Sequence, residues 1–440
     1  MFRAPARLAA LTCVLALSAC TGPSTGEAST ARHDPDVLVH LFEWPWASVA
    51  SECPALGAAG VAGVQISPPQ QHVWLPDKGF PWWQDYQPTG YAVQSRRGDR
   101  AAFAAMVQEC HKAGVKIYAD AVLNHRQGAA AEDLHHCGHA IANYQDRAEV
   151  QNCDLVGLPD LATEKPTVRQ QLAGYLNDLL ALGVDGFRLD AAKHIPAADL
   201  RAILALLTRP ARVYSEVLYS PSEPIQPTEY RDFGATLEPR YAEKLARTFR
   251  GDSFTLLQDR LTDLLPSDAS VVYVDSHDTQ RGTSTLSYKE DRHTLAVQFM
   301  LAYPYGAPLL MSSFDFERFD DGPPSTPDGV TTPVECGPRA GHGWVCEHRR
   351  VLTMVGWRNR MAGAPVANWW ATDDALGFAR QGFGYFALNR AAAPFVRTVD
   401  TGLTAGRYRD VLAGASIEVD RDGRANLTIP AMGAVALEKE

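Results

Sequence analysis

The chain has 440 residues, of which 46% are hydrophobic and 21% are charged, and its formal net charge is -10 at pH 7. This balance is typical of a folded globular protein and excludes a disordered or multiply membrane-spanning chain. Negative charge disfavours contact with phosphate backbones, so we expect no nucleic-acid partner. The length exceeds the usual size of one hydrophobic core and predicts two or three domains.

The N-terminus predicts an export signal followed by a tether. Arg3 and Arg7 provide a basic start, an apolar run extends from Leu8 to Leu17, and small residues follow. The apolar run is too short to span a membrane as a mature helix. We therefore interpret residues 1–19 as a signal peptide and residues 20–36, rich in Ser, Thr, Gly and Pro, as a flexible tether.

Cys20 ends the segment Leu17-Ser18-Ala19-Cys20, which resembles the bacterial lipobox, where cleavage leaves the cysteine at the new N-terminus for diacylglycerol attachment. In this interpretation the protein is held on the outer face of a bacterial cell membrane by its lipid alone. The alternative is an ordinary secretory signal cut nearby, which would make the protein secreted and leave Cys20 free or removed.

Six cysteines remain after the leader, and an even number in an exported chain favours disulfide bonds over metal thiolates. Six thiols allow fifteen pairings, and the sequence alone does not choose among them. Nearest-neighbour spacing favours Cys137 with Cys153 and Cys336 with Cys346, which leaves Cys53 with Cys110. The tract from His135 to His139 looks like a metal site, but a disulfide would consume Cys137.

From Val37 onward, apolar strand patterns alternate with helical patterns. The predicted strands are Val37 to Trp44, Gly63 to Ser67, Val115 to Val122, Val184 to Leu189, Arg212 to Val217, Asp232 to Leu237, Val271 to Asp275 and Pro308 to Ser312. The predicted helices include Ala101 to Ala113, Val168 to Leu182, Leu200 to Leu207, Phe254 to Leu265 and Thr294 to Ala302. Eight strands separated by helices predict an α/β fold, the closed parallel (β/α)8 TIM barrel.

Two segments depart from this rhythm. The long irregular connection after the third strand predicts a small inserted domain over residues 126–163, held by Cys137 with Cys153. The barrel would then comprise residues 37–125 and 164–362. Short alternating strands, such as Gly377 to Arg380, Gly384 to Leu388 and Ala434 to Leu437, predict a C-terminal antiparallel β-sandwich over residues 363–440.

Acidic side chains follow three of the predicted strands. Asp190 lies in the stretch from Gly186 to His194, Glu216 ends the next strand, and Asp278 follows the strand from Val271 to Asp275. A single acid in such a place often caps a helix. Because the C-terminal rim of a β/α barrel carries the chemistry, three acids together predict one shared pocket.

With these residues assembled, the chain resembles the secreted α-amylases of glycoside hydrolase family 13, most closely the animal and actinobacterial branch. The resemblance extends from about Val37 to the C-terminus. The matching segments are His40 to Trp44, Val64 to Pro69, Trp82-Trp83 with Tyr86-Gln87-Pro88, Asp120 to His125, Gly186 to His194, Glu216-Val217, His277-Asp278 and Trp344 to Arg349.

The resemblance implies retaining, endo-acting hydrolysis of internal α-1,4-glucosidic bonds in starch, glycogen and maltodextrins by a monomer. Asp190 matches the nucleophile, and Arg188, on the same strand face, would keep it ionised. Glu216 matches the acid/base, which must hold a proton in the substrate complex. Asp278 matches the third acid, which grips sugar hydroxyls.

Further residues match the sugar-binding positions of the family. His277 and His125 would donate hydrogen bonds, and Lys193 and His194 would line the reducing-end side. A glucose ring offers C–H faces to aromatic planes, so we interpret Trp82, Trp83 and Tyr86 as a stacking platform with Gln87 contacting a hydroxyl.

The resemblance also implies a structural Ca²⁺ between barrel and insertion. Asn124 and Asp160 would offer side chains, and Gln151 and His194 would offer backbone carbonyls, an oxygen set that suits a hard cation. The chloride-activated branch uses two arginines and an asparagine. Arg188 and Arg349 match the arginines, but Ser276 stands at the asparagine position, which argues against chloride as a cofactor.

Two alternatives stay open. One is a maltooligosaccharide-forming amylase or transglycosylase of the same family. The other, from a different class, is an anchored glucan-binding protein without catalytic activity, which would bind maltodextrin without releasing reducing ends.

Overall fold

The protein is described here from a computed structural model, over residues 36–135, 137–337 and 343–440. The predicted signal peptide, the lipidation site Cys20 and all but the last residue of the predicted tether lie outside these described residues. Among the described helices, none is both long and apolar enough to cross a bilayer.

The strands of the described residues fall into one barrel and three antiparallel sheets. In chain order they are β1 (Leu38–Leu41), β2 (Gly63–Ile66), β3 (Gln70–His72), β4 (Pro88–Val93), β5 (Lys116–Val122), β6 (Gly186–Asp190), β7 (Arg212–Ser215), β8 (Ala235–Leu237), β9 (Ser270–Val272), β10 (Ala307–Ser312), β11 (Val366–Ala371), β12 (Ala375–Arg380), β13 (Gly384–Asn389), β14 (Phe395–Asp400), β15 (Gly406–Asp410), β16 (Ser416–Val419), β17 (Arg424–Ile429) and β18 (Gly433–Lys439).

The α-helices of the described residues precede the C-terminal strands. They are α1 (Trp46–Ala59), α2 (Arg100–Lys112), α3 (Arg147–Val150), α4 (Pro166–Ala181), α5 (Ala197–Leu204), α6 (Pro239–Arg250), α7 (Leu257–Arg260), α8 (His293–Ala302) and α9 (Leu352–Arg360). Local signals set their ends: the Asp99 side chain accepts from the Ala102 amide at the start of α2, and Pro166 opens α4.

Eight parallel strands close the barrel in the order β1-β10-β9-β8-β7-β6-β5-β2. Each predicted barrel strand overlaps one of them, so the predicted (β/α)8 fold is confirmed. The helix predicted from Phe254 to Leu265 is shorter in the structure, where one 3-10 turn leads into α7 and the helix ends at Arg260.

Side chains fill the lower half of the barrel, which makes it a packed core. The Tyr118 and Tyr214 rings lie 6.2 Å apart there, surrounded by buried aliphatic residues. A Cβ at Gly186 would lie 2.6 Å from the Tyr118 ring, so only glycine leaves room for this tyrosine. Because side chains fill this end of the barrel, we expect the polar active-site residues at the opposite, C-terminal rim.

The C-terminal part forms antiparallel sheets, as predicted. One has six strands in the order β11-β12-β13-β18-β15-β16, and β14 pairs with β17 in a second. A separate core that includes Tyr385, Leu427 and Leu437 lies among these strands. The residue limits given above for the domains stay predictions.

The described residues contain three disulfide bonds, and they are the pairs favoured by spacing: Cys53 with Cys110, Cys137 with Cys153, and Cys336 with Cys346. The first joins α1 to α2, and the second lies in the long connection between β5 and α4. Disulfides of this number fit a protein of an oxidising, extracellular environment.

Candidate active site

Strand β6 brings an arginine and a carboxylate to the rim of the barrel. Arg188 and Asp190 are two residues apart and therefore share one strand face. The Arg188 Nη1 donates to Asp190 Oδ1 at 2.5 Å, and its Nη2 lies 2.8 Å from Glu216 Oε2. One buried guanidinium thus holds both of the acids that the sequence placed on neighbouring strands.

Glu216 follows the last residue of β7, and hydrogen bonds fix both its backbone and its side chain. Its amide donates to the Leu189 carbonyl at 3.0 Å, which continues the ladder between β6 and β7. Its carboxylate accepts from the Ala191 amide at 2.9 Å. Ala191 has a φ of 47°, and this left-handed conformation turns the chain after β6. Glu216 is therefore positioned by the turn that follows Asp190.

Asp278 completes the acidic group, in a loop beyond β9. Its side chain is 46% exposed, and one oxygen lies 3.3 Å from Nε2 of His277. Desolvation in the cleft and the charge of Glu216 raise the pKa of Asp278 to about 7. The structure thus brings the three predicted acids into electrostatic reach of one another.

The expectation that Arg188 keeps Asp190 ionised stays a prediction, because two opposite effects act on the pKa of Asp190. Burial raises the pKa of Asp190 well above its usual range, Arg188 opposes that change, and Glu216 adds to it. Burial is the larger cause, and the neighbouring carboxyls add to it because several of them surround a single guanidinium.

Aromatic rings form one wall beside the acids. The Tyr86 ring lies parallel to the His277 imidazole, with centroids 5.0 Å apart, and Trp82 meets His277 edge-on at 5.7 Å. Burial and the charge of Arg188 lower the pKa of His277 well below its usual range. His277 is therefore neutral, and it can donate a hydrogen bond without adding charge.

The predicted stacking residues differ in how open they are. Trp82 is 5% exposed and Tyr86 is 9% exposed, whereas Trp83 is only partly buried. The indole of Trp82 donates to the Phe319 carbonyl at 2.9 Å, and that of Trp83 donates to Asp320 at 2.8 Å. Among the three rings, Trp83 offers the most open face. The half-buried Gln87 follows in the same segment.

The other predicted sugar-binding residues are buried and already bonded. His125 Nε2 donates to the Tyr86 carbonyl at 2.9 Å, and burial lowers the pKa of His125 to about 4. Lys193 pairs with Glu223, a partner that the sequence analysis did not identify. His194 Nδ1 donates to the Val150 carbonyl at 3.1 Å.

The four predicted calcium ligands fall into two pairs, Asn124 with Asp160 and Gln151 with His194. Asn124 Oδ1 is buried and has no hydrogen-bond partner among the described residues, and the Asn124 side chain contacts Asp160. Burial raises the pKa of Asp160 to about 6. The His194 bond to Val150 brings Gln151 next to His194. A buried, unsatisfied amide oxygen beside a buried carboxylate fits a hard cation.

The tract from His135 to His139 does not offer thiolates to a metal. Cys137 and Cys153 are joined in a disulfide, although His139 lies 3.5 Å from the Cys137 sulfur. His135 donates to Asp160 at 2.5 Å and to Glu164 at 2.8 Å. His135 therefore helps to position the carboxylate of Asp160, one of the predicted calcium ligands.

The pairing of Arg188 with Arg349 for chloride is not supported. Arg349 is 48% exposed, and its guanidinium binds Glu52 on α1. Arg188 is 2% exposed inside the barrel and binds carboxylates. Because each guanidinium faces a different acid in a different environment, the two arginines do not share an anion site.

Sequence analysis missed Asp120 as a site residue, although it lay in a quoted segment. This fully buried aspartate accepts from Arg188 at 2.8 Å and from the Tyr86 hydroxyl at 3.0 Å. It also missed Arg281, whose guanidinium lies 5.1 Å from the Trp82 ring and donates to the His277 carbonyl at 3.0 Å. Charged residues within apolar strands or aromatic loops are the signal that could have identified both.

Comparison with known proteins agrees with this geometry. A family model described as "Alpha amylase, catalytic domain" matches residues 150–205, which include Asp190. The α-amylase of Streptomyces violaceus is 42% identical over 94% of this chain and 76% of its own length.

Solved structures give the same result. Wild-type α-amylase I from Eisenia fetida matches with a TM-score of 0.86 and 33% identity, over 92% of this chain and 97% of its own. A mutant of that enzyme in complex with maltohexaose matches equally well, with a TM-score of 0.86 and 32% identity, over the same shares of the two chains. The protein described here is therefore a glycoside hydrolase that belongs to the α-amylase family.

Proposed function

We propose that this protein is an endo-acting α-amylase that hydrolyses internal α-1,4-glucosidic bonds of starch, glycogen and maltodextrins with retention of configuration. The observation that carries the proposal is the pair of contacts from Arg188, at 2.5 Å to Asp190 and at 2.8 Å to Glu216. Two carboxyls held by one guanidinium suit the short separation that a double displacement requires, about 5 to 5.5 Å.

In the first step Asp190 attacks the anomeric carbon while Glu216 gives its proton to the leaving glycosidic oxygen. The C–O bond to the leaving chain breaks, and a covalent glycosyl-Asp190 ester forms. In the second step Glu216 takes a proton from water, the water oxygen attacks the anomeric carbon, and Asp190 leaves as a carboxylate. Glu216 thus acts as the acid in the first step and as the base in the second.

Asp278 and His277 act on the sugar ring at the point of cleavage. We assign Asp278 to hydroxyl binding, because half of its side chain remains open to the cleft. His277, neutral and held between Tyr86 and Trp82, would donate to a hydroxyl as positive charge develops on the ring. Hydrogen bonds that tighten in the transition state raise the rate rather than the affinity for the ground state.

The flanking sugars are assigned to the aromatic and polar residues around this centre. Trp83 stacks on one ring, and Trp82, Tyr86 and Gln87 shape the wall beside it. Lys193 and His194 line the reducing-end side, and His125 orients Tyr86 through its carbonyl. The maltohexaose bound to the Eisenia fetida relative supports an α-glucan as substrate.

Asn124, Asp160, Gln151 and His194 would hold a structural Ca²⁺, which supplies charge neutralisation and cross-linking rather than chemistry on the substrate. The predicted calcium ligands are also linked to the nucleophile. His194 lies four residues after Asp190, and its ring is bound to Val150 of the insertion. Order in this cluster therefore extends to the turn that carries the nucleophile.

We further propose that the protein is exported as a monomer and is anchored through a lipid on Cys20. The three disulfides support export, because such bonds persist in oxidising compartments. Metabolic labelling with a radioactive fatty acid, in the wild type and in Cys20→Ala, tests the anchor. We expect the wild type to carry the label and Cys20→Ala to carry none. An unlabelled wild type would exclude the lipid anchor.

Time-resolved product analysis on soluble starch tests the hydrolase assignment. We expect a rapid fall in chain length, with products that first appear as the α-anomer by proton NMR. Oligomers longer than a defined donor would instead indicate a transglycosylase, and binding without new reducing ends would indicate a non-catalytic protein.

Asp190→Asn provides the residue-level test of the same assignment. We expect turnover to fall by at least about 10⁴-fold, because the replacement amide cannot form the ester intermediate. Asp422→Asn, at an exposed position in the C-terminal sheets, is the matched control and should retain full activity. Normal turnover by Asp190→Asn would refute the assignment of the nucleophile.

A further inference from the structure

A second concave surface lies beside the hairpin of β3 and β4, and none of the three acids lines it. It is a groove of about 470 Å³, which falls in the range of small-molecule sites. We call it the Trp74 groove. The residues that define it include Gln71, His72, Trp74, Thr89, Gln94 and Val330.

Trp74 is unusual among the tryptophans of the chain. It is 45% exposed, and it is the only tryptophan of the described residues in the exposed class. Exposing a large flat apolar ring is costly, and large exposed apolar surfaces commonly mark binding sites. The Trp74 ring is therefore available to a ligand and contributes little to the core.

The Trp74 ring is nevertheless held firmly from beneath. It lies nearly parallel to the His72 ring at 6.0 Å and meets the Phe80 ring edge-on at 5.7 Å. His72 is fixed by a bond of 2.8 Å to the Val73 carbonyl and lies 3.2 Å from Asp85. Neighbouring side chains thus hold the Trp74 ring in place. Binding of a ligand to its exposed face would therefore cost little side-chain conformational entropy.

Phe80 is itself locked in place. A Cβ on Gly329, which has a φ of 82°, would lie 2.4 Å from the Phe80 ring, so this turn packs its bare backbone against the ring. Arg96 lies beneath, 1% exposed, and donates to the Phe80 carbonyl at 3.1 Å and to Ser325 at 2.5 Å. The base of the platform is therefore made of buried, bonded groups.

The rest of the groove supplies hydrogen-bonding groups. Gln71, Thr89 and Gln94 are exposed, and their amide and hydroxyl groups can both donate and accept. Asp99 adds an exposed carboxylate to this border. A flat aromatic face bordered by hydrogen-bonding side chains suits a ligand with C–H faces and hydroxyl edges. That combination describes a pyranose ring.

We propose that the Trp74 groove is a second α-glucan-binding site, separate from the catalytic cleft, with a glucose ring stacked on Trp74. The proposal rests on the α-glucan hydrolase function proposed above. None of the lining residues belongs to the acidic group or to the wall formed by Trp82 and Tyr86. Its role is to hold a long or insoluble glucan on the enzyme while the cleft acts on another part of the chain.

An α-glucan is the occupant best supported by the charges and the chemistry. The formal net charge of -10 disfavours a nucleic acid, whose bases could otherwise stack on a tryptophan. A polymer that already binds in the cleft reaches the groove at a high effective concentration, so even a weak second contact adds affinity.

Starch binding by Trp74→Ala tests the proposal. In an Asp190→Asn background, which prevents consumption of the substrate, we expect the apparent Kd for insoluble starch to rise about tenfold on loss of the stacking face. Trp74→Phe, which keeps a flat ring, should retain most of the affinity. Phe383→Ala is the control, because Phe383 is also an exposed aromatic, at 47%, in a distant hairpin of the C-terminal sheets.

Hydrolysis by the otherwise wild-type enzyme separates the groove from the cleft. Trp74→Ala should reduce kcat/KM on insoluble starch and leave hydrolysis of maltoheptaose unchanged. Equal starch binding by Trp74→Ala and Phe383→Ala would overturn the proposal, as would an equal loss on both substrates. If Trp74→Ala fails to fold, Gln94→Ala tests the same groove, and unchanged starch binding in that variant is the contrary result.

These measurements distinguish failure of this inference from failure of the proposed function. If the wild type does not hydrolyse maltoheptaose, the hydrolase assignment fails, whereas loss of starch binding in Trp74→Ala would still support a glucan site. If maltoheptaose is hydrolysed and starch binding does not depend on Trp74, the second site alone is excluded.

Discussion

Asp120 accepts a hydrogen bond of 2.8 Å from Nη1 of Arg188, and the two residues stand side by side in the register of β5 and β6. Asp120 is fully buried, and it also binds the Tyr86 hydroxyl at 3.0 Å. It therefore connects the guanidinium that holds Asp190 and Glu216 to the aromatic wall. Asp120 acts as a positioning residue beneath the reacting groups.

Asp120→Asn should reduce kcat by about 10- to 100-fold, because a small displacement of Arg188 moves both carboxyls that it holds. Its negative charge raises the pKa of Asp190, so the substitution should also shift the acidic limb of the pH–rate profile to lower pH. The pH dependence of kcat/KM is the measurement. A variant with lower activity and an unmoved acidic limb would show that Asp120 is merely structural.

Calcium removal should loosen the insertion and lower activity. A bound ion at about 100 times its Kd contributes about 2.7 kcal/mol to the free energy of unfolding. We expect Asn124→Ala to lose most of that calcium-dependent stabilisation, because it removes the buried oxygen that lacks a partner. Thermal unfolding with calcium and with a chelator measures the effect. Asn426→Ala, an exposed asparagine of β17, is the control, and identical calcium shifts in the two variants would argue against this site.

The Glu52 cluster should make stability depend on acid pH. Burial alone would raise the pKa of Glu52, but bonds from His348 and Arg349 prevail and lower it to about 2. A carboxyl with a depressed folded-state pKa stabilises the protein above its unfolded pKa of about 4.5, and this contribution is lost as the pH falls toward 2. Allowing for solvent screening, it amounts to about 1 to 3 kcal/mol at pH 7.

Glu52→Gln should therefore be less stable than the wild type at pH 7, with a difference that narrows below about pH 4.5. Urea unfolding of both proteins from pH 3 to pH 8 gives the two curves. A difference in the free energy of unfolding that stays constant over this range would show that the charge of Glu52 is irrelevant.

Arg349→Ala should leave the response to chloride unchanged, because Arg349 binds Glu52 and is half exposed on the outside of the barrel. We expect the ratio of hydrolysis rates in chloride and in acetate, at equal ionic strength, to be the same for the variant and the wild type. Loss of a chloride effect in Arg349→Ala alone would restore the anion site that the geometry disfavours.

Much of the fold could be predicted from the sequence. The barrel strands are short runs made largely of apolar residues, and every residue of β2 and β6 is buried, so the few polar residues in them stand out. Other elements carried weaker signals. Helix α1 contains Pro54 within its span, and the β3–β4 hairpin is a short polar pair outside the barrel. The sequence analysis identified neither.

The candidate site divides in the same way. Asp190, Glu216 and Asp278 could be recognised because acids at the ends of apolar strands are locally conspicuous. Asp120 lies inside a strand, and its importance depends on Arg188, which is 68 residues away in the chain. Arg349 shows the opposite case, because its position in a matching segment suggested an anion site that its contact with Glu52, 297 residues away, does not support.

By itself, the sequence determined the barrel and the disulfide-bonded character of the chain, and it predicted three acids at the rim and export. Each of these depends on residue type at a local position. Only the tertiary structure decided that one guanidinium binds two of the acids, that Tyr86 stacks on His277, and that Trp74 stands exposed on a supported platform. Those relationships join residues far apart in the chain, and packing in three dimensions brings them together.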